Sequence, residues 1–254
     1  MRRPEFEEYA ARYDHLRLER SDGIVQVTMH SDGADVEWGF APHEELGYCL
    51  QDLGADPDNR VVILTGAGDA FIGRQRMGGG GMDAMRWADV QAAGRRLLLR
   101  HLEIEVPMIA AVNGPATIHA EIALLCDIVL ATEDAVFADR PHFGNGVVPG
   151  DGVHVVWPML LGANRGRYFL LTGQELTATE AHALGIVNEL LPRDELIDRA
   201  WSLARTILER PAATVRFART AMVQELRRAV SAHLDLGLAL EGLAATDHWP
   251  ESFG

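Results

Sequence analysis

An α/β fold, with a mostly parallel sheet, helices packed on it and a helical C-terminal region, is what this sequence predicts, and two observations carry the prediction. Three short apolar, β-branched runs, VVILTG (61–66), MIAAVNG (108–114) and DIVLATE (127–133), alternate with helix-period stretches near 83–103 and 119–126. That order builds parallel strands joined by helices. From Leu190 the pattern turns helix-only, with apolar residues spaced by three and four through DELIDRAWSLARTILER, PAATVRFARTAMVQELRRAV and SAHLDLGLALEGLAAT. The expected division is a core over 1–190 and a helical region over 191–254.

Taken in order, residues 15–30 (HLRLERSDGIVQVTMH) alternate in polarity about Ser-Asp-Gly, which predicts a hairpin of two half-buried strands. Pro42 opens a helix-period segment that runs to about Leu53. The three apolar runs end in Gly, Asn or Thr and read as buried strands. Gly78–Gly81 forms a glycine run that predicts a flexible loop. It lacks both a lysine and the spacing of a phosphate-binding loop. Trp87 and Trp201 fall on helix-period faces and read as packing residues.

The 254 residues, 48% hydrophobic and 24% charged, have the composition of a globular chain. Its 37 acidic residues against 23 basic ones leave a formal charge of −14, a field that repels phosphate backbones and anionic lipid. Neither nucleic acid nor a membrane is an expected partner. Every basic residue is arginine and no lysine occurs, which excludes Schiff-base aldolase chemistry and pyridoxal-phosphate attachment. Cys49 and Cys126 lie among apolar neighbours and read as buried thiols. The charged start MRRPEFEEYAARYDHL has no apolar core, and apolar runs stop before 18 residues, so a cytoplasmic protein is expected.

Several blocks resemble the crotonase superfamily of enoyl-CoA hydratases and isomerases: VVILTGAGDAFIGRQ, PMIAAVNGPA, EIALLCDIVLATEDAVF, GVVPGDG and LTGQELTATEAHALGIVNELLP, followed by the C-terminal helices. The resemblance spans nearly the whole chain. It implies a crotonase-type ββα spiral core with perpendicular sheets, and a C-terminal region that forms a homotrimer or a dimer of trimers.

The chain also departs from that pattern. Family members usually carry AFxAGxD, and a glycine run before a glutamate whose backbone amides face a thioester oxygen. Here the blocks read AFIGRQR (70–76) and NGPATIHAE (113–121). The glycines of the run are gone, His119 stands among them, and Gly73 is left as a candidate donor. A second glutamate of the hydratases is replaced by His142, in DRPHFGNGVVPGDG.

The combination of IHAE, RPHF, PGDGVHVVWP and LALEGLA resembles the β-diketone hydrolase branch typified by 6-oxocamphor hydrolase. That resemblance implies cleavage of a carbon–carbon bond in a cyclic or bicyclic 1,3-diketone, with no coenzyme A, no cofactor and no metal. Such a retro-Claisen reaction must activate water, stabilise an enolate and return a proton to carbon. An imidazole titrating near 6.5 can donate to an oxyanion or transfer a proton. His142 is the candidate for that work, with Asp151 as the carboxylate that the resemblance places behind it.

His119 is the candidate replacement for a lost amide donor. Glu241 is assigned by resemblance to position or deprotonate water, and Trp38 and Phe71 are candidate apolar walls. Glu121 is structural or catalytic, and His154, three residues from Asp151, supports the loop or joins the chemistry. The remaining histidines, His43 included, read as surface or core residues. Two other readings stay open: a CoA-thioester hydratase or isomerase, and a catalytically silent binding or assembly protein. HxE with His142 and Asp151 also has the composition of a divalent-metal site, although the family pattern needs no metal.

Overall fold

The hairpin about Ser-Asp-Gly turns through Asp22 and Gly23, both with positive φ (51° and 81°), the pairing that matches the twist of two antiparallel strands. In the computed structural model, which describes residues 5–77 and 81–249, a short helix α1 (Phe6–Ala10) precedes β1 (Leu16–Ser21) and β2 (Ile24–Met29). β1 alternates in burial, whereas β2 is buried at every position. The expectation of two half-buried strands fails for β2, because Val25, Val27 and Met29 face the larger core while Ile24 and Gln26 face the residues of the C-terminal region.

β3 (Glu37–Trp38) leads into α2 (Phe40–Ala55), which begins two residues before Pro42. Then come β4 (Val61–Gly66), β5 (Arg74–Gln75) and α3 (Ala84–Glu103). Asp83 caps α3 by accepting from the amides of Met85 and Arg86, satisfying donors that a helix start leaves open. The predicted flexible loop falls largely on residues 78–80, outside the described residues. β6 (Met108–Val112), the single-turn α4 (Glu121–Leu124), β7 (Ile128–Thr132) and β8 (Val136–Phe137) follow. The chain continues through α5 (Val153–Leu161), α6 (Ala163–Thr172), β9 (Leu176–Thr177), α7 (Ala178–Ala183) and β10 (Glu189–Leu191). It closes with α8 (Arg193–Leu208), α9 (Ala212–Met222) and α10 (Gln224–Asp247).

The main sheet has the order β1-β2-β4-β6-β7-β10. Only its β1–β2 pair is antiparallel. Two small sheets, β3 with β5 and β8 with β9, lie beside it. The fold is the mixed α/β arrangement expected, with the C-terminal helices in place. β10 spans Glu189–Leu191, so the last strand crosses the expected boundary at 190/191.

Both faces of the parallel strands are covered, which is why they read as unbroken apolar runs. One face meets α2, α3 and α10 in the larger core. On the other, Ile63, Ile109 and Leu130 pack on Leu196, Ala200 and Ala204 of α8. Cys49 and Cys126 are buried, unpaired thiols. Trp201, half-buried on α8, donates to Gln26. Among the described residues no helix is long and apolar enough to cross a membrane.

Candidate active site

Separate segments of the chain converge on one cavity of about 280 Å³. Trp38 enters from β3 and His43 from the first turn of α2. His119 sits in the turn before α4. His142 and Asp151 lie on the long loop between β8 and α5, and Glu241 projects from α10. Trp38, Phe40, Trp87, Val90 and Leu238 supply apolar wall, the usual make-up of a site with a few placed polar groups.

His119 has a φ of +46°, a left-handed backbone uncommon for a residue with a β-carbon and often found at functional sites. Its Nδ1 donates to Oε1 of the fully buried Glu121 at 2.7 Å and lies 3.2 Å from Asp151 Oδ2. The same Asp151 oxygen is 3.4 Å from His142 Nε2, and Glu241 Oε1 is 3.6 Å from that nitrogen. On the opposite side of the His142 ring, Nδ1 lies 2.5 Å from Asp139 Oδ1. The rings of Trp38, His43 and His119 form a cluster with centroids 5.2–5.7 Å apart.

Charge in this cluster sorts itself by burial and partners. Burial disfavours the charged ring of His119, but Glu121 and Asp151 outweigh it and push its pKa up to about 9. For His142 burial again opposes charging, and Asp139 and Asp151 overcome it, holding the ring well above the ordinary histidine value. Asp151 is buried too, yet His142 and His119 hold its carboxyl below the usual range. Burial raises Glu121 and pushes Glu241 up to about 7, against the pull of His142. His43 is the contrast: burial, with His119 adding to it, lowers its pKa to about 3 and keeps the ring neutral.

The cluster therefore combines two cationic donors, an anion shared between them, and a carboxyl that changes protonation near neutral pH. Such a set can hold an oxyanion and pass a proton. Two donor triplets, His119/Glu121/Asp151 and His142/Asp151/Glu241, each lie within 4.8 Å, close enough to share an ion. Their ring nitrogens also face carboxylate oxygens at hydrogen-bond or ion-pair distance.

Of the residues singled out in the sequence, His119, His142, Asp151, Glu241 and Trp38 meet at this cavity. Phe71 does not: it is fully buried in the larger core. Gly73 is also outside the cavity wall, with a β-carbon position 3.0 Å from Ala70 Cβ and 3.4 Å from Pro115 Cβ. His154 points elsewhere, with Nε2 3.3 Å from the His233 carbonyl.

Trp87 does more than pack, since it lines the cavity while donating to the Leu238 carbonyl at 3.0 Å. Two residues were missed. His43 gave no signal, being one polar residue in a helix start. Asp139 was visible only as the first residue of DRPH, where an intervening proline favours a turn that brings positions 139 and 142 together.

The AFIGRQR and NGPATIHAE segments are hydrogen-bonded to each other. Phe71 and Ile72 donate their backbone N–H groups to the Pro115 carbonyl, and Thr117 and Ile118 donate theirs to the Ile72 carbonyl.

Residues 19–247 match the enoyl-CoA hydratase/isomerase family model. Among curated proteins the chain is 29% identical to a short-chain-enoyl-CoA hydratase of Clostridium acetobutylicum, over 91% of this chain and 88% of that one. It is 30% identical to a carnitinyl-CoA dehydratase of Salmonella paratyphi A, over 86% and 82%. Among solved structures it is similar to a β-diketone hydrolase from the cyanobacterium Anabaena, bound to (S)-3-oxocyclohexyl acetic acid. There the identity is 43%, the TM-score 0.90, and the match covers 94% of this chain and 97% of that one. An enoyl-CoA hydratase/isomerase from Mycobacterium paratuberculosis matches at 29% identity and a TM-score of 0.83, over 92% and 94%.

Proposed function

The chain belongs to the enoyl-CoA hydratase/isomerase family, the crotonase superfamily, and from that premise we propose that it is a β-diketone hydrolase, cleaving a cyclic or bicyclic 1,3-diketone to a keto acid without coenzyme A. The observation that carries this reading is the bridging position of Asp151 Oδ2 between His119 and His142, with Glu241 alongside.

In this mechanism Glu241 accepts a proton from water as the water oxygen adds to one carbonyl carbon. His142 donates through Nε2 to the resulting oxyanion. Collapse of the adduct breaks the carbon–carbon bond, releasing a carboxylic acid and leaving the electron pair as an enolate on the second carbonyl. His119 stabilises that enolate, and the proton held by Glu241 returns to carbon. One water is consumed and every protein group regains its starting state. Each proton transfer by a placed group is worth roughly 10²–10⁴ in rate.

The ligand of the similar hydrolase supports the substrate class. Joining the carboxyl carbon of 3-oxocyclohexyl acetic acid to the ring carbon on the far side of its ketone gives a bridged bicyclic diketone, both carbonyls flanking one bridgehead. That compound is the test substrate of choice. Loss of its ultraviolet absorbance, with formation of the keto acid, checks the proposal.

A second reading, a CoA-thioester hydratase, is favoured by the names of the curated relatives. Against it stand the loss of the glycine run before Glu121 and the position of Gly73, the remaining candidate donor, outside the cavity wall. The expected assembly is a homotrimer or a dimer of trimers. The exposed leucines 236, 240 and 243 on one stripe of α10 offer apolar surface for it.

A further inference from the structure

The shortest polar contact of His142 is to Asp139, at 2.5 Å through Nδ1. Both side chains are buried, His142 at 3% and Asp139 at 6% exposure. Burying a carboxylate is costly unless it is well partnered. Asp139 Oδ2 is buried with no hydrogen-bond partner, and among the described residues the Asp139 side chain bonds to His142 alone. The burial cost is thus offset at this one ring nitrogen. Asp139 is absent from the cavity wall, whereas His142, Asp151 and Glu241 all line it. The ring is held from behind by one acid and faces the others across the cavity.

We infer that Asp139 is a positioning residue for His142: it anchors Nδ1, orients the ring, and so presents an Nε2–H to the reacting carbonyl, the role that the sequence assigned to Asp151. The inference rests on the proposed hydrolase reading for its catalytic consequence only. An imidazole with carboxylate acceptors on both sides keeps a hydrogen on each nitrogen, as an orienting acid does for a catalytic histidine. Asp151, relieved of the anchoring task, is left to bridge His142 and His119 on the substrate side. The charged or titratable groups around His142 are Asp139 on its own loop, Asp151 before α5, Glu241 on α10, His119 before α4 and, more distantly, His154 on α5.

The test compares ring-nitrogen NMR spectra of histidine-¹⁵N-labelled wild type and Asp139→Asn, with the His142 signals assigned by their loss in His142→Gln. In the wild type at pH 7 both His142 nitrogens should carry hydrogen. In Asp139→Asn one nitrogen should lose its hydrogen, and kcat on the bridged diketone should fall at least about tenfold. An unchanged His142 ring pattern in Asp139→Asn overturns the inference. If that variant fails to fold, a wild-type Nδ1 without hydrogen overturns it, and one with hydrogen coupled to a neighbouring acid sustains it. A wild type with the expected ring pattern but no diketone cleavage would refute the hydrolase reading and leave the Asp139 anchor standing.

Discussion

Gly150 and Gly237 meet backbone to backbone: a β-carbon on either would lie 2.2 Å from the carbonyl oxygen of the other. A β-carbon on Gly150 would also come within 2.8 Å of Glu241 Cβ. This contact seats α10 on the loop that carries Asp151, and Glu241 follows one helical turn later. Two bare backbones thereby fix how close the third carboxyl comes to His142.

Gly237→Ala should force the helix away from that loop. Overpacking of this kind costs about 1–3 kcal/mol, and displacement of Glu241 should lower kcat on the diketone more than it raises KM. Urea unfolding and steady-state kinetics read the two effects. Gly54→Ala is the control: it meets only Ile104 Cγ1 at 3.7 Å and should leave kinetics unchanged.

The pH dependence of kcat/KM should be bell-shaped. Glu241, raised to about 7, must be ionised to accept a proton, so activity rises with pH through that value. His119, raised to about 9, must be protonated to stabilise an enolate, so activity falls above it. A profile flat from pH 6 to 10 would reject both assignments.

Removal of the His142 donor or of the Asp151 acceptor should be severe. His142→Ala and Asp151→Asn should each reduce turnover by more than about tenfold, while light scattering reports the wild-type oligomer. Unchanged turnover in either variant would remove that residue from the mechanism.

Strands β4, β6 and β7 were legible because burial on both faces demands unbroken apolar runs, and their β-branched composition separates them from helices. β3, β5, β8 and β9 were not, since two residues such as Glu37–Trp38 carry no periodicity. The site was legible where chemistry-bearing residues replace the expected ones, as at His119 and His142. Phe71 misled because an aromatic beside a site motif looks the same whether it faces a cavity or the core behind it. The Asp139–His142 contact depends on the path of the loop around Pro141, and His43 becomes visible only when α2 and β3 bring it against Trp38 and His119.

The two remaining readings of the site separate on substrate and chelator. With the glycine run before Glu121 lost and Gly73 outside the cavity wall, crotonyl-CoA should not be hydrated at a rate above the uncatalysed one. Diketone cleavage should survive exhaustive treatment with a chelator, because the proton network needs no ion. Loss of activity that returns with a divalent cation would shift the site to a metal centre.

The most direct measurement follows the bridged bicyclic 1,3-diketone by ultraviolet absorbance and identifies the product by mass and NMR. The account predicts enzyme-dependent loss of the diketone, with one water gained and a single keto acid formed, abolished together by His142→Ala and Glu241→Gln. No carbon–carbon cleavage across a panel of cyclic 1,3-diketones would contradict it.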